Sequence, residues 1–362
     1  MNMDMKFSKI ETEKCVYCAI CVPKCPTYQL SSCETESPRG RVIAINQLLQ
    51  GKLTINSRLK QTIYNCLQCG LCESACPAKI ATPKLISIIK NKIPSKRYFL
   101  FLFFTRYSHV FSKLAPLLRL ALPTSMKNVS KAVSTKELPQ QKTVLFLGCN
   151  GEIFDSDTKN SSIELLKKIN IGVRVSKRQY CCGSLHYHQG DFKSFAQLQD
   201  FNSQALNGSN KLLYLSSGCK LGIKAIAEKS AISAQNIIDF LFEQDFSKKT
   251  FKPLSLKVAV FIPCSHRDDD TKEKITALLK LIPQLKIRFI TGSCCGSAGV
   301  HFFSKRSLKL RNQILAQIED ESLILTTNIG CRLHLARGVN SQNRLNNVKI
   351  IHPSFLLNQQ CS

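Results

Sequence analysis

CVYCAICVPKCP, residues Cys15 to Pro26, sets four cysteines at 15, 18, 21 and 25 and closes on a proline. Further along, CLQCGLCESACP (Cys66 to Pro77) repeats the spacing with Cys66, Cys69, Cys72 and Cys76. Each two-residue step turns the chain enough to present the next sulfur, so three closely spaced thiolates can wrap one side of a single centre. Structural zinc usually takes two separated Cys-x2-Cys pairs instead of an uninterrupted run of four. The run of four therefore favours an iron–sulfur cubane over zinc.

Both segments match the Cys-x2-Cys-x2-Cys-x3-Cys-Pro run of two-cluster bacterial-type ferredoxins, in which the fourth cysteine serves the other cluster. The expected ligand sets are Cys15, Cys18, Cys21 and Cys76 for one [4Fe–4S] cluster, and Cys66, Cys69, Cys72 and Cys25 for the second. Cys33 falls outside both runs and reads as a structural or incidental thiol.

The chain has 362 residues, 44% of them apolar, and eighteen cysteines. MNMDMKFSKIETEK shows no basic segment leading into an apolar one, so no secretory signal is visible. Without export the chain is expected in the cytoplasm, where many cysteines are better read as metal or redox ligands than as a disulfide framework. The formal charge of +27 is partly offset if thiolates bind metal, since an oxidised four-thiolate cubane carries about −2. The remaining positive charge suits an acidic partner subunit or anionic lipid. No nucleic-acid-binding motif accompanies it, so nucleic acid is not an expected partner.

Four segments are expected: a ferredoxin-type domain over 1–92, a helical linker over 93–141, and two cysteine-rich domains over 142–250 and 251–362. In the linker, RYFLFLFFTRYSHVFSKLAPLLRLAL is interrupted by Arg106, Lys113 and Arg119, too often for a convincing membrane span. A linker helix packed between domains is the favoured reading, with an interfacial amphipathic helix as the alternative. Beyond it, Cys149, Cys181–Cys182 and Cys219 are echoed by Cys264, Cys294–Cys295 and Cys331, at offsets of 115 (264−149), 113 (294−181) and 112 (331−219). That is two tandem copies of one small domain. TVLFLGC, KLLYLSSGC, KVAVFIPC and SLILTTNIGC read as buried parallel strands ending at a cysteine, and IGVRVSKRQYCCG and LKIRFITGSCCG supply a further strand before each pair. Sites in open α/β sheets form beyond the carboxyl ends of the strands, so the four cysteines of each copy are expected at one sheet edge. Gly183 and Gly296 would allow the tight turn that aims adjacent sulfurs at one centre. The fold class is α+β multidomain: a mainly helical two-cluster ferredoxin-type domain followed by two α/β cysteine-rich repeats.

GC…CCG…GC, twice, behind a two-cluster ferredoxin domain resembles the cysteine-rich (CCG) domain proteins. The local match is to the glycolate oxidase iron–sulfur subunits, through ESPRGRVIAINQLLQGKL (Glu36 to Leu53), CCGSAG (Cys294 to Gly299) and TTNIGCRLHLARG (Thr326 to Gly338). The resemblance implies an electron-transfer subunit of a glycolate (2-hydroxy acid) dehydrogenase. Its partner would be an FAD-containing subunit, its acceptor a quinone or another carrier, and its attachment to the inner membrane face peripheral at most. The alternatives are a heterodisulfide-reductase-like subunit, or the iron–sulfur component of a lactate or glycerol-3-phosphate dehydrogenase. No residue is assigned a catalytic role, and without a Gly-x-Gly-x-x-Gly after a strand no dinucleotide site is expected. The cysteine-rich units would hold a further iron–sulfur cluster or zinc. The heterodisulfide pattern ends each unit in Cys-x-x-Cys, whereas this chain has Gly222 and His334 there. His334 is thus a candidate extra ligand. His186, His188 and His301, just after the pairs, suit supporting hydrogen bonds. The acidic residues of SHRDDDTKE (Ser265 to Glu273) read as the start of a helix.

Overall fold

Two parallel sheets and one helical body make up the computed structural model, which describes residues 3–95, 98–107, 142–176, 179–292 and 294–362. The described residues of 1–102, 185–193 and 293–310 form one unit, and those of 103–184, 194–292 and 311–362 form the other.

The first unit is helical: Met3–Glu13, Pro26–Ser31, Pro38–Leu49, Ser57–Tyr64, Leu71–Ala75 and Thr82–Lys92. Proline stands in the first turn of three of these, where its missing N–H costs nothing. Ser37 Oγ accepts from Gly40 N at 2.8 Å and Asn56 Oδ1 from Leu59 N at 2.9 Å, so two helix starts are capped. Val42, Ile45, Leu59, Ile63, Leu85, Ile86 and Ile89 form the core, and the cysteine runs occupy the loops between these helices.

In the second unit, β1 (Thr143–Phe146), β2 (Lys211–Tyr214) and β3 (Ser233–Asn236) form a parallel sheet in the order β1-β2-β3. Next come β4 (Lys257–Val260), β5 (Lys286–Phe289), β6 (Leu323–Leu325) and β7 (Lys349–Ile351), parallel in the order β5-β4-β6-β7. The strand expected in IGVRVSKRQY is reduced to one parallel bridge, Val144 with Arg174, in the place that β5 takes beside β4. Half-buried and carrying Arg174 among its apolar residues, the segment stays a sheet edge. β3 and β7 were not expected: SAQN has no apolar alternation, and KII is too short to be read alone. Most of 93–141 lies outside the described residues, and its described part holds the helix Phe99–Arg106. Among the described residues no helix is long and apolar enough to cross a membrane.

The two repeats share one apolar core, with Leu145, Leu213 and Ile238 of the first packed in the same cluster as Val258, Leu325 and Leu356 of the second. A buried ion pair also ties them together. Arg332, 3% exposed, binds Asp155 and Thr158 of the first repeat and donates to Ile350 O at 3.3 Å. Removing one member of a buried pair strands a charge and costs about 3–5 kcal/mol, whereas an apolar replacement of both is often neutral. Arg332→Met is expected to lower the unfolding free energy by that amount in urea denaturation, and Arg332→Met with Asp155→Leu to recover most of it.

Candidate metal centres

In the first unit the two cysteine runs line two cavities. One, of about 100 Å³, is lined by Cys15, Cys18, Cys21 and Cys76, with Cys72 on its wall. The other, of about 20 Å³, is lined by Cys25, Cys66, Cys69 and Cys72. The first run thus gives three cysteines to the larger cavity and its fourth to the smaller, while the second gives three to the smaller and its fourth, with Cys72 shared, to the larger. Both loops turn by the same device: Tyr17 (φ 58°) and Ala19 (φ 66°) in the first are matched by Gln68 (φ 51°) and Gly70 (φ 75°) in the second. A left-handed non-glycine residue costs about 1–2 kcal/mol, and three of these four positions are not glycine. Such strain concentrates at functional sites.

The donors fit the group that the sequence implies. Both cavities are lined by four or more cysteines and by no histidine or carboxylate, a set that selects soft metals and iron–sulfur clusters. Burial pushes the Cys72 thiol up to about 12, with the neighbouring Cys66 adding to the rise, and burial also raises Cys21. Four thiolates in so small a space need positive charge among them.

Around the second cavity that charge is partly supplied by residues that motif reading left without a role. Arg41, 1% exposed, donates through Nη1 to Cys25 Sγ at 3.8 Å, through Nη2 to Thr27 Oγ1 at 3.1 Å and through Nε to Thr62 O at 3.0 Å. Lys90, fully buried, donates to Gln68 Oε1 at 2.9 Å and to His188 O at 3.1 Å. Burial pulls its ammonium down to about 8, with the Cys66 thiolate working against that fall. Arg41 lies within the quoted ESPRGR stretch, but its contact with Cys25 spans sixteen residues and no spacing rule announces it.

In the second unit the thiols of Cys149, Cys181, Cys182 and Cys219 converge. Cys181 is in hydrogen-bond contact with Cys149 and Cys182, and Cys182 with Cys219. Cys149 follows β1 in the helix Gly148–Phe154, and Cys219 closes the 3-10 turn Ser217–Cys219 after β2. Both therefore stand past the carboxyl ends of parallel strands, as expected. The contact with Cys149 holds the Cys181 thiol well above its ordinary range, and that with Cys182 does the same for Cys219. Hydrogen bonds from Cys181, then Cys219, hold Cys182 well below it.

The two paired-cysteine turns share one local geometry. Gly183 (φ 81°) donates its N–H to Cys181 Sγ at 3.5 Å, and Gly296 (φ 83°) donates to Cys294 Sγ at 3.3 Å. Cys182 Sγ lies 3.4 Å from Ser184 Oγ, and Cys295 Sγ 3.2 Å from Ser297 Oγ. CCGS is therefore the repeated unit, and its serine was legible in both copies. Cys294 and Cys295, both buried, lie in the segment that groups with the helical unit. Cys264 starts a 3-10 turn after β4, and Cys331 is buried in the helix Ile329–Val339 after β6.

The fifth ligand position of the first repeat has a steric reading. A Cβ on Gly222 would stand 1.9 Å from Cys182 O, so the helix Lys220–Ser230 passes too close to the turn for any side chain. Its counterpart His334 is fully buried. His186 Nδ1 pairs with Asp191 Oδ2 at 2.9 Å, and His188 accepts from Lys90 Nζ through its backbone carbonyl. His301 ends the 3-10 turn Gly299–His301. Cys33 Sγ contacts Thr35 Oγ1 at 3.2 Å, away from either cavity lining. In SHRDDDTKE, Asp270 flanks the helix Thr271–Lys280 and pairs with Lys274 at 2.8 Å, while Asp268 pairs with Lys220 at 2.7 Å.

Comparison with known proteins bears on these centres. A family model described as a 4Fe-4S dicluster domain matches residues 11–80, and one described as a cysteine-rich domain matches 143–224 and 258–336. The chain is 27% identical to the glycolate oxidase iron-sulfur subunit of Escherichia coli, over 89% of each chain. It is 24% identical to the probable glycolate oxidase iron-sulfur subunit of Bacillus subtilis, over 96% of this chain and 93% of that one. A crystal structure of a hypothetical protein from Helicobacter pylori superposes with a TM-score of 0.50 at 13% identity, covering 78% of this chain and 58% of that one, a likeness of fold alone.

Overpacking a close-packed interior costs about 1–3 kcal/mol, and at Gly222 the obstacle is backbone. Gly222→Ala is expected to destabilise the chain by at least about that much in thermal or urea unfolding. Gly151→Ala, in a helix with its nearest neighbour at an ordinary 3.5 Å, should be neutral or slightly stabilising.

Proposed function

Because the chain belongs to the iron–sulfur family that joins a 4Fe-4S dicluster domain to two cysteine-rich domains, we propose that it is the electron-transfer subunit of a glycolate (2-hydroxy acid) dehydrogenase complex. The observation that carries this is the pair of cysteine-lined cavities, each fed by both runs, in a chain that matches glycolate oxidase iron–sulfur subunits along most of its length.

On this reading Cys15, Cys18, Cys21 and Cys76 hold one [4Fe–4S] cluster, and Cys66, Cys69, Cys72 and Cys25 hold the second. Bound there, the clusters supply one-electron redox chemistry, with potentials set by hydrogen bonds to sulfur, charge and exposure. The protein's part is to bury Cys25 at the second site and to leave the first accessible at Cys18. Cys149, Cys181, Cys182 and Cys219 form a third ligand set, for iron–sulfur or zinc. By the sequence repeat, Cys264, Cys294, Cys295 and Cys331 form a fourth.

Oxidation of a 2-hydroxy acid releases two electrons with protons, and a flavin can take a hydride and return electrons singly. An FAD-containing partner therefore precedes this chain, and a quinone or another carrier follows it. The basic surface suits an acidic partner or peripheral contact with anionic lipid. Against the heterodisulfide-reductase alternative stands Gly222, whose surroundings leave no room for a fifth sulfur in the first repeat.

Anaerobic purification with iron, sulfide and zinc quantitation and EPR tests the reading. About eight irons per chain are expected from the dicluster part, and twelve or sixteen if one or both cysteine-rich units also hold cubanes. Cys25→Ser should remove the same EPR signal as Cys66→Ser and leave the other in place. Loss of the signal that Cys15→Ser removes would overturn the crossed assignment. Natively isolated chain should bring down an FAD protein, and its deletion should abolish glycolate oxidation.

A further inference from the structure

The two cysteine-lined cavities differ in the charge that surrounds them. Around Cys25, Cys66, Cys69 and Cys72 stand two buried cations. Arg41 donates directly to Cys25 Sγ at 3.8 Å. Lys90 reaches Gln68, whose backbone N–H donates to Cys66 Sγ at 3.4 Å and whose amide also donates to Pro83 O and Ser87 Oγ. Glu36 is the carboxylate of this neighbourhood, its carbonyl accepting from the Cys25 thiol. Its side chain is already engaged by Arg306 Nη2 at 2.8 Å and Asn65 Nδ2 at 2.7 Å. Positive charge is thus in excess at this site and is shielded from solvent.

Around Cys15, Cys18, Cys21 and Cys76 the cations Arg39, Lys14 and Lys79 are not buried, and the first two are ion-paired. Arg39, which donates to Tyr17 O at 3.2 Å, is bound to Glu34 at 2.8 Å on the surface. Lys14 is paired with Glu11. Lys79, likewise exposed, donates to Ser74 O at 3.3 Å. Exposed charges of this kind act weakly through water and salt.

We propose that Arg41 and Lys90 are positioning residues that selectively raise the reduction potential of the centre held by Cys25, Cys66, Cys69 and Cys72. Reduction adds a negative charge to that centre. A fixed guanidinium against a ligand sulfur, and a buried ammonium one side chain away, stabilise the added electron where solvent screening is poor. Burial of the thiols works the other way by penalising charge. The proposal therefore concerns what the two cations add at this one site, at constant burial. Arginine suits the first role because its planar fork serves Thr27, Thr62 and Cys25 together and stays charged.

This inference rests on the two-cluster reading above, and one experiment separates the two. The holoprotein and its Arg41→Gln, Arg41→Lys and Lys90→Met variants are titrated anaerobically with EPR detection of each centre. Arg41→Gln and Lys90→Met should each lower the reduced-to-oxidised ratio of one and the same centre about tenfold at fixed potential, about 59 mV for a one-electron couple. The other centre should not move, and Arg41→Lys should retain most of the wild-type value. Lys90→Met, close in size and apolar at a buried position, carries the test if Arg41→Gln does not fold. Two wild-type centres with no shift, or with equal shifts of both, overturn the proposal alone. Fewer than two [4Fe–4S] signals in the wild type overturn the two-cluster reading and this inference with it.

Discussion

Crowded thiolates repel one another, and a fold that gathers them must supply both the geometry that brings them together and the charge that offsets them. In the helical unit the geometry comes from left-handed steps at Tyr17, Ala19, Gln68 and Gly70, which roll each loop around its cavity. In the α/β unit it comes from the ends of parallel strands and from Gly183, placed directly after the pair Cys181–Cys182. An extended backbone would send adjacent side chains to opposite faces. The reversal at Gly183 keeps both sulfurs on one side, and its N–H returns to Cys181 as a hydrogen bond.

Much of this was legible because thiol chemistry is tied to spacing. The Cys-x2-Cys-x2-Cys-x3-Cys-Pro runs pointed to cysteines that the fold gathers around two cavities, and the 112–115-residue offset to the duplication. Apolar runs before Cys149, Cys219, Cys264 and Cys331 gave β1, β2, β4 and β6, since a buried central strand must be apolar on both faces. β3 escaped because an edge strand need not be apolar, and SAQN is half exposed. The expected strand near Arg174 keeps only its bridge to Val144.

What could not be read was tertiary. Arg41 meets Cys25 across sixteen residues, Lys90 meets His188 across ninety-eight, and Arg332 meets Asp155 across one hundred and seventy-seven. No local period encodes such contacts, since a buried cation looks like a surface cation in a basic sequence. Gly222 was noticed only for the cysteine it lacks. Its reason, a carbonyl where a side chain would begin, belongs to the packing of the helix Lys220–Ser230 on the turn at Cys182.

Duplication helps to separate what framing the thiols requires from what may diverge around them. The cysteine pair, the left-handed glycine and the serine that follows are the same in both copies, down to the N–H···S bond. The position three residues after the last cysteine is not: Gly222 in one, a fully buried His334 in the other. In the first copy the backbone of the cysteine turn fills that space, whereas the second copy accommodates an imidazole, which can carry a proton or a ligand bond. The copies therefore share the local frame of the cysteine turn and differ at the position three residues after the last cysteine.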